Sequence, residues 1–130
     1  LLPLQPEEKL PALLAMADIH LLPQRAEAAD LVMPSKLGGM LSSGRPVVAC
    51  ADAGTQIFET VSGCGLVVAP GDGAAIGDAV LTLARDPGLR TRLGAAARGE
   101  AETGWDRDAV LARFEDELAA RILARKEGGR

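Results

Sequence analysis

The stretch 44–55, GRPVVACADAGT, decides the fold. Its centre, residues 46–50 (PVVAC), is a short β-branched apolar run, bounded by Gly44 on one side and the small polar cluster 52–55 on the other. Such a run is too short for a helix and reads as a strand buried on both faces. Residues 55–62 form a short helix next, and 65–69 (GLVVA) a second strand. Upstream, residues 34–43 (PSKLGGMLSS) read as a helix ended by Gly44, and 19–22 (IHLL) as a strand closed by Pro23. Residues 6–17 place Leu10, Leu13, Leu14 and Ala17 at helical spacing, with Glu7 and Glu8 in the first turn, where the helix dipole favours them. Leu1, Leu2 and Leu4 read as the end of a strand stopped by Pro6, and 24–33 as a loop.

After Pro70 the texture is helical only. Asp72 suits an N-cap for 74–85, whose Ile76, Val80, Leu81 and Leu83 make one broad face. Pro87 opens a second helix carrying Leu89, Leu93, Ala96 and Ala97. Asp106 caps a third, over 107–126, with Val110, Leu111, Phe114, Leu118, Ile122 and Leu123 in a stripe. Wholly apolar strands alternating with helices imply a parallel sheet covered on both faces. The fold class is therefore α/β: a partial doubly wound, Rossmann-like parallel sheet with a helical C-terminal tail. It is read as one domain over 1–130, with an α/β part (1–70) and a helical part (71–130).

Composition narrows the function. With 14 Lys+Arg against 18 Asp+Glu, net −4, phosphate neutralisation along a nucleic acid is not the expected role. Aromatics are only 2%, with no Tyr, so base-stacking platforms are not expected either. No apolar run reaches the roughly 20 residues of a membrane span. The opening LLPLQPEEKL carries neither Met nor a basic leader, and reads as the interior of a longer protein. Cys50, Cys64 and His20 are too few and too scattered for a structural metal site. Two thiols beside apolar strands are expected to be reduced, which points to a cytoplasmic protein.

Ligands of open α/β sheets bind at the carboxyl ends of the strands. The 14-residue segment 23–36 is long for such a connection and ends in Pro34-Ser35-Lys36 at a helix N-terminus. Backbone N–H groups, the dipole, a hydroxyl and an ammonium there suit a phosphate. Gly38 and Gly39 weaken that helix, and close approach of a ligand or of another backbone accounts for them. Gly54 and Thr55 put small residues at the next helix start, for a phosphate or sugar hydroxyl or as a plain turn. Glu27 and Asp30 read as a solvated loop face, Glu59 as a surface or capping residue, and His20 as a core or rim residue. Ser42 and Ser43 lack a base partner in the sequence, and neither G-x-S-x-G nor a P-loop occurs. No catalytic residue is assigned.

The order and spacing of 10–23, Pro34-Ser35-Lys36, GRPVVA (44–49), Gly54-Thr55 with Glu59, GCGLVVAP (63–70) with Asp72, Ala97-Arg98 and Trp105 resemble a retaining glycosyltransferase of GT-B architecture. The type is the large group 1 (family 4), nearest to bacterial exopolysaccharide enzymes of the colanic-acid kind. The resemblance implies two facing Rossmann domains, this chain being the back half of the one that binds the nucleotide-sugar. The acceptor domain then lies upstream, and the last helix crosses back towards it. It implies a UDP- or GDP-sugar donor, no obligatory metal and no cofactor, and a cytoplasmic place or one peripheral to the inner membrane face. Pro34, Ser35 and Lys36 would line the diphosphate, Gly38 and Gly39 would admit the nucleotide, and Gly54 and Thr55 would face the sugar or phosphate. The family's Arg/Lys diphosphate grip falls upstream of Leu1. Its two motif glutamates fall at Leu31 and Gly39, so ribose recognition by the second is lost here. That loss keeps a non-catalytic scaffold or regulatory module as the alternative. A different nucleotide-binding enzyme, such as an epimerase, would need a catalytic His or carboxylate at a strand end. A half-domain exposes sheet edge and helix face, so self-association is expected.

Overall fold

A computed structural model describes residues 5–24 and 33–127. The expected strand at Leu1, Leu2 and Leu4 and most of the 24–33 loop lie outside the described residues. Three parallel strands, β1 (His20–Leu22), β2 (Val47–Cys50) and β3 (Gly65–Val68), form one sheet in the order β1-β2-β3. His20 pairs with Val47, and Val47 in turn with Gly65. Each connection contains a helix, as parallel strands require: α2 (Ser35–Ser42) between β1 and β2, α3 (Gln56–Val61) between β2 and β3. All four residues of β2 are buried, which is why its sequence is continuously apolar.

At the N-terminus the expected single helix is broken in two. A 3-10 turn at Glu7–Lys9 precedes α1 (Leu10–Ala15). Pro11 is the reason: it has no N–H to give to the preceding turn and is accommodated only in the first turn of a helix. Leu14 of α1 packs towards α2, while Leu10 and Leu13 remain largely exposed.

The helical half of the chain supplies the covers of the sheet. On one face Val47 and Ala49 meet Leu37 and Leu41 of α2, Ile57 and Val61 of α3, and Ala97 and Ala101 of α5 (Pro87–Gly104). On the other, Val48 meets Ala79 and Leu83 of α4 (Gly73–Arg85). Leu37, Leu41, Ile57, Val61 and Leu83 are all at most 1% exposed, and each such burial is worth about 1.5–3 kcal/mol. The expected faces shift slightly: Leu81 is exposed and Ala79 takes its place, and in α5 the buried positions are Gly94, Ala97 and Ala101 rather than Ala96. The expected caps form, with Asp72 and Asp106 carboxylates accepting from the backbone N–H of Ala75 and Ala109, and the structure adds Asp86, which accepts from Leu89 N–H ahead of Pro87. The last helix, α6 (Arg107–Glu127), carries its stripe as expected, but Phe114 is 62% exposed and the rest of the stripe is similarly open. Among the described residues no helix is long and apolar enough to cross a membrane.

A close backbone approach joins α5 to the end of α2. Gly44, at φ +68, ends α2, its N–H bonded to the Leu41 carbonyl at 3.0 Å. A Cβ on Gly94 of α5 would run into the Gly44 carbonyl oxygen, with Arg45 Cα behind it at 3.6 Å. Backbone cannot swing aside as a side chain can, so Gly94→Ala should destabilise by about 2–3 kcal/mol, the upper range for overpacking. Gly99, in the same helix, has nothing within 4 Å of its Cβ position. There Gly99→Ala should stabilise by roughly 0.5–1 kcal/mol, so urea midpoints of the two variants should move in opposite directions.

Candidate functional site

All three strands run in one direction, so the segments after Leu22, Cys50 and Val68 meet at one edge of the sheet. That edge receives the N-terminus of α2, the turn before α3 and the turn before α4. Topology therefore gathers Pro34, Ser35, Lys36, Gly54 and Thr55 on the side where such sheets hold ligands. Glu27, Asp30 and Leu31 lie outside the described residues.

Pro34 precedes α2 with φ −63 and ψ 122, and no side chain caps the helix. The first-turn bond comes from the backbone itself, Leu37 N–H to the Pro34 carbonyl at 3.0 Å. Ser35 and Lys36 are exposed, and neither side chain has a hydrogen-bond or ion-pair partner among the described residues. A hydroxyl, an ammonium and the positive end of a helix dipole thus point to solvent together. Gly38 and Gly39 have neighbours inside the chain. A Cβ at Gly38 would stand 3.0 Å from Cε3 of Trp105, and one at Gly39 would stand 3.2 Å from a methyl of Leu14. Packing by α5 and α1 thus accounts for both missing Cβ atoms without a ligand.

The second loop is a tight turn. Thr55 N–H bonds to the Asp52 carbonyl at 3.2 Å, and Gly54 sits at φ +86, which only glycine adopts freely. The Thr55 hydroxyl is spoken for: it donates to the Asp52 carbonyl at 2.8 Å and accepts from Phe58 N–H at 3.3 Å, capping α3. What this loop offers a ligand is backbone and open space at Gly54, not the hydroxyl.

The family of the chain now has direct support. Residues 2–86 match the family model described as "Glycosyl transferases group 1". This chain belongs to the group 1 glycosyl transferases. Over 119 residues it is 37% identical to an Escherichia coli (strain K12) protein named "Putative colanic acid biosynthesis glycosyl transferase WcaI". That alignment covers 89% of this chain and 28% of the relative, so the chain spans well under a third of the relative's length. The family match runs from the start of the chain through α4, and the alignment to the relative extends into the helices beyond.

In this glycosyl transferase chain two buried titratable side chains, His20 and Cys64, lie at the amino ends of the strands, while Cys50 closes β2 at its carboxyl end. His20 opens β1 at the amino edge and is 7% exposed. Its Nε2 lies 3.0 Å from Ser43 Oγ, a partner that the sequence reading, which left Ser43 without a base, did not find. The two are 23 positions apart, and only the return of α2 along the sheet joins them. Ser43 Oγ in turn donates to the Met40 carbonyl at 2.6 Å and accepts from Arg45 N–H at 3.3 Å, so the pair ties the end of α2 to β1. Cys50 and Cys64 are free and buried, and burial together with the Glu100 carboxylate pushes the Cys64 thiol up to about 11. Such a thiol is no nucleophile near neutral pH. Among the described residues, one surface cleft of about 240 Å³ lies beside Arg98, Glu102 and Trp105 and another of about 260 Å³ beside Asp18, Arg45 and Arg90. Neither is lined by Ser35, Lys36, Gly54 or Thr55.

Burial holds the His20 pKa below its ordinary 6.5; the hydrogen bond to the Leu14 backbone opposes this, and the Arg45 charge adds to it. The unfolded chain therefore binds the proton more tightly than the native one. The His20 contribution to stability is complete above about pH 6.5 and is lost as pH falls below it, towards the lowered native value. Urea unfolding between pH 7.5 and pH 5.5 should show this loss, and His20→Asn should flatten it.

Proposed function

We propose that this chain is the donor side of a glycosyl transferase that moves a sugar from a nucleotide-sugar to an acceptor in polysaccharide or glycolipid synthesis. The observation that carries the reading is the free N-terminus of α2 in a chain of this family: Ser35 and Lys36 exposed, unpartnered among the described residues, at the carboxyl edge of a parallel sheet. The chemistry needed there is binding of a diphosphate and stabilisation of its charge as the sugar leaves. Helix N–H groups and the dipole supply a fixed positive potential, the Ser35 hydroxyl a donor, and Lys36 a point charge. Pro34 fixes the entry of the chain into the helix, so these groups are held before the ligand arrives. Gly38 and Gly39 admit Trp105 and Leu14 behind this turn rather than the nucleotide, and the open backbone at Gly54, beside Thr55, faces the sugar or phosphate. The colanic acid in the relative's name supports a bacterial exopolysaccharide product.

A second reading is a module that keeps the fold without the reaction. It is favoured by Gly39, which stands where the family has its second glutamate and lies under Leu14, so the ribose contact from that position is missing. Calorimetric titration of UDP, GDP and ADP into the full-length protein separates the two. The donor-site reading expects one diphosphate to bind, and Lys36→Ala to weaken it by about tenfold or more, the worth of one charge-assisted contact. No binding to folded protein would move the assignment to the scaffold. We further propose that the chain 1–130 alone self-associates, since Leu21 of β1 and the α6 stripe are open to solvent. A monodisperse monomer in sedimentation at high concentration would refute that.

A further inference from the structure

Helix α2, which carries the proposed diphosphate contacts, is gripped along its length by α5. The two run antiparallel, with three contacts in step: Gly94 against Gly44, Arg98 against Ser42, and Trp105 against Gly38. Arg98 Nη1 donates to the Ser42 carbonyl at 2.7 Å while its Nε is held by Glu102 at 2.7 Å, so a fixed guanidinium closes the negative end of α2. Near the middle of α2, Trp105, the only tryptophan of the chain, ends α5 and lays its ring against Gly38, one turn from Ser35. Eight residues with two central glycines make a helix of poor intrinsic stability, which must be held by its neighbours. Recognition by a helix terminus is sensitive to such support, since misplacement by about 1 Å can cost on the order of 100-fold in a preorganised site.

We propose that Trp105 and Arg98 are positioning residues for diphosphate recognition: by clamping α2 at Gly38 and at the Ser42 carbonyl, they hold Lys36 and the first-turn N–H groups where the diphosphate binds. The inference rests on the donor-site reading of α2 and adds the part of the chain that sets its geometry.

The test measures dissociation constants of the full-length protein for UDP, GDP, uridine and guanosine. The variants are Lys36→Ala, Trp105→Ala, Trp105→Phe, Arg98→Met and the double variant Lys36→Ala/Trp105→Ala. Trp105→Ala should weaken the preferred diphosphate by roughly five- to tenfold and leave the matching nucleoside unchanged, whereas Trp105→Phe, which keeps a ring over Gly38, should recover most of the loss. Arg98→Met should show the same diphosphate-only loss, and this variant carries the test if Trp105→Ala does not fold. In the double variant the Trp105→Ala effect should be smaller than in wild type, because one of the contacts it serves, Lys36, is already gone while the first-turn N–H groups remain. Diphosphate binding within twofold of wild type in folded Trp105→Ala, while Lys36→Ala still weakens it, would overturn the inference and leave the donor site standing. A parallel fall for nucleoside and diphosphate would also overturn it, as the mark of a merely structural role. Unchanged binding in Lys36→Ala would sink the donor-site reading itself, and this inference with it.

Discussion

The backbone contact between Gly44 and Gly94 is the constraint on which the rest of the arrangement depends. Parallel strands need helices on both faces of the sheet, and one face here is covered by α2 and α3 together with α5, which arrives from the far end of the chain. Without a Cβ at Gly94, α5 comes down onto the end of α2, and Ala97 and Ala101 then reach the same core as Leu37 and Leu41. From that crossing the Arg98 bond to Ser42 and the Trp105 contact with Gly38 follow by helical repeat along two antiparallel helices. The Ser43–His20 link ties the same end of α2 to β1. A short, glycine-weakened helix is thus held from its middle to its C-terminal end while its first turn stays open to solvent.

That division of labour gives a ligand edge made mostly of backbone. Ser35 and Lys36 offer side chains, but the turn at Gly54 offers only main chain and space, because the Thr55 hydroxyl already caps α3. At the amino ends of the strands, low polarity keeps the buried His20 and Cys64 in their neutral forms. On the proposed donor-side reading, the chain would contribute binding chemistry of the helix-terminus kind, with electrostatic stabilisation of charge in a group transfer. Its membership of the group 1 glycosyl transferases gives that chemistry a context, and the chain spans well under a third of the relative's length.

Much of the architecture was legible in local pattern. Short β-branched runs at 46–50 and 65–69 became β2 and β3 within a residue or two, and each aspartate read as a cap does cap its helix. These features depend on neighbours within a few positions, and so they are written locally. The misreadings had long-range or competing causes. Pro11 broke a periodic helix that the apolar spacing alone would continue. Gly38 and Gly39 resembled a surface cleared for a ligand, and the neighbours that fill the space are Trp105 and Leu14, one of them 67 positions from Gly38. Ser43 looked partnerless because His20 is remote in sequence.

The sequence by itself determined the strand–helix alternation, the parallel sheet, the helix starts and the family, since period, capping and motif order are properties of contiguous residues. Only the tertiary structure decided which glycines serve packing, which hydroxyls are engaged, and that Ser35 and Lys36 stand at the carboxyl edge without a partner among the described residues. Those outcomes depend on how close separate helices can come, and the approach is set by atoms that meet only when α5 folds back onto α2.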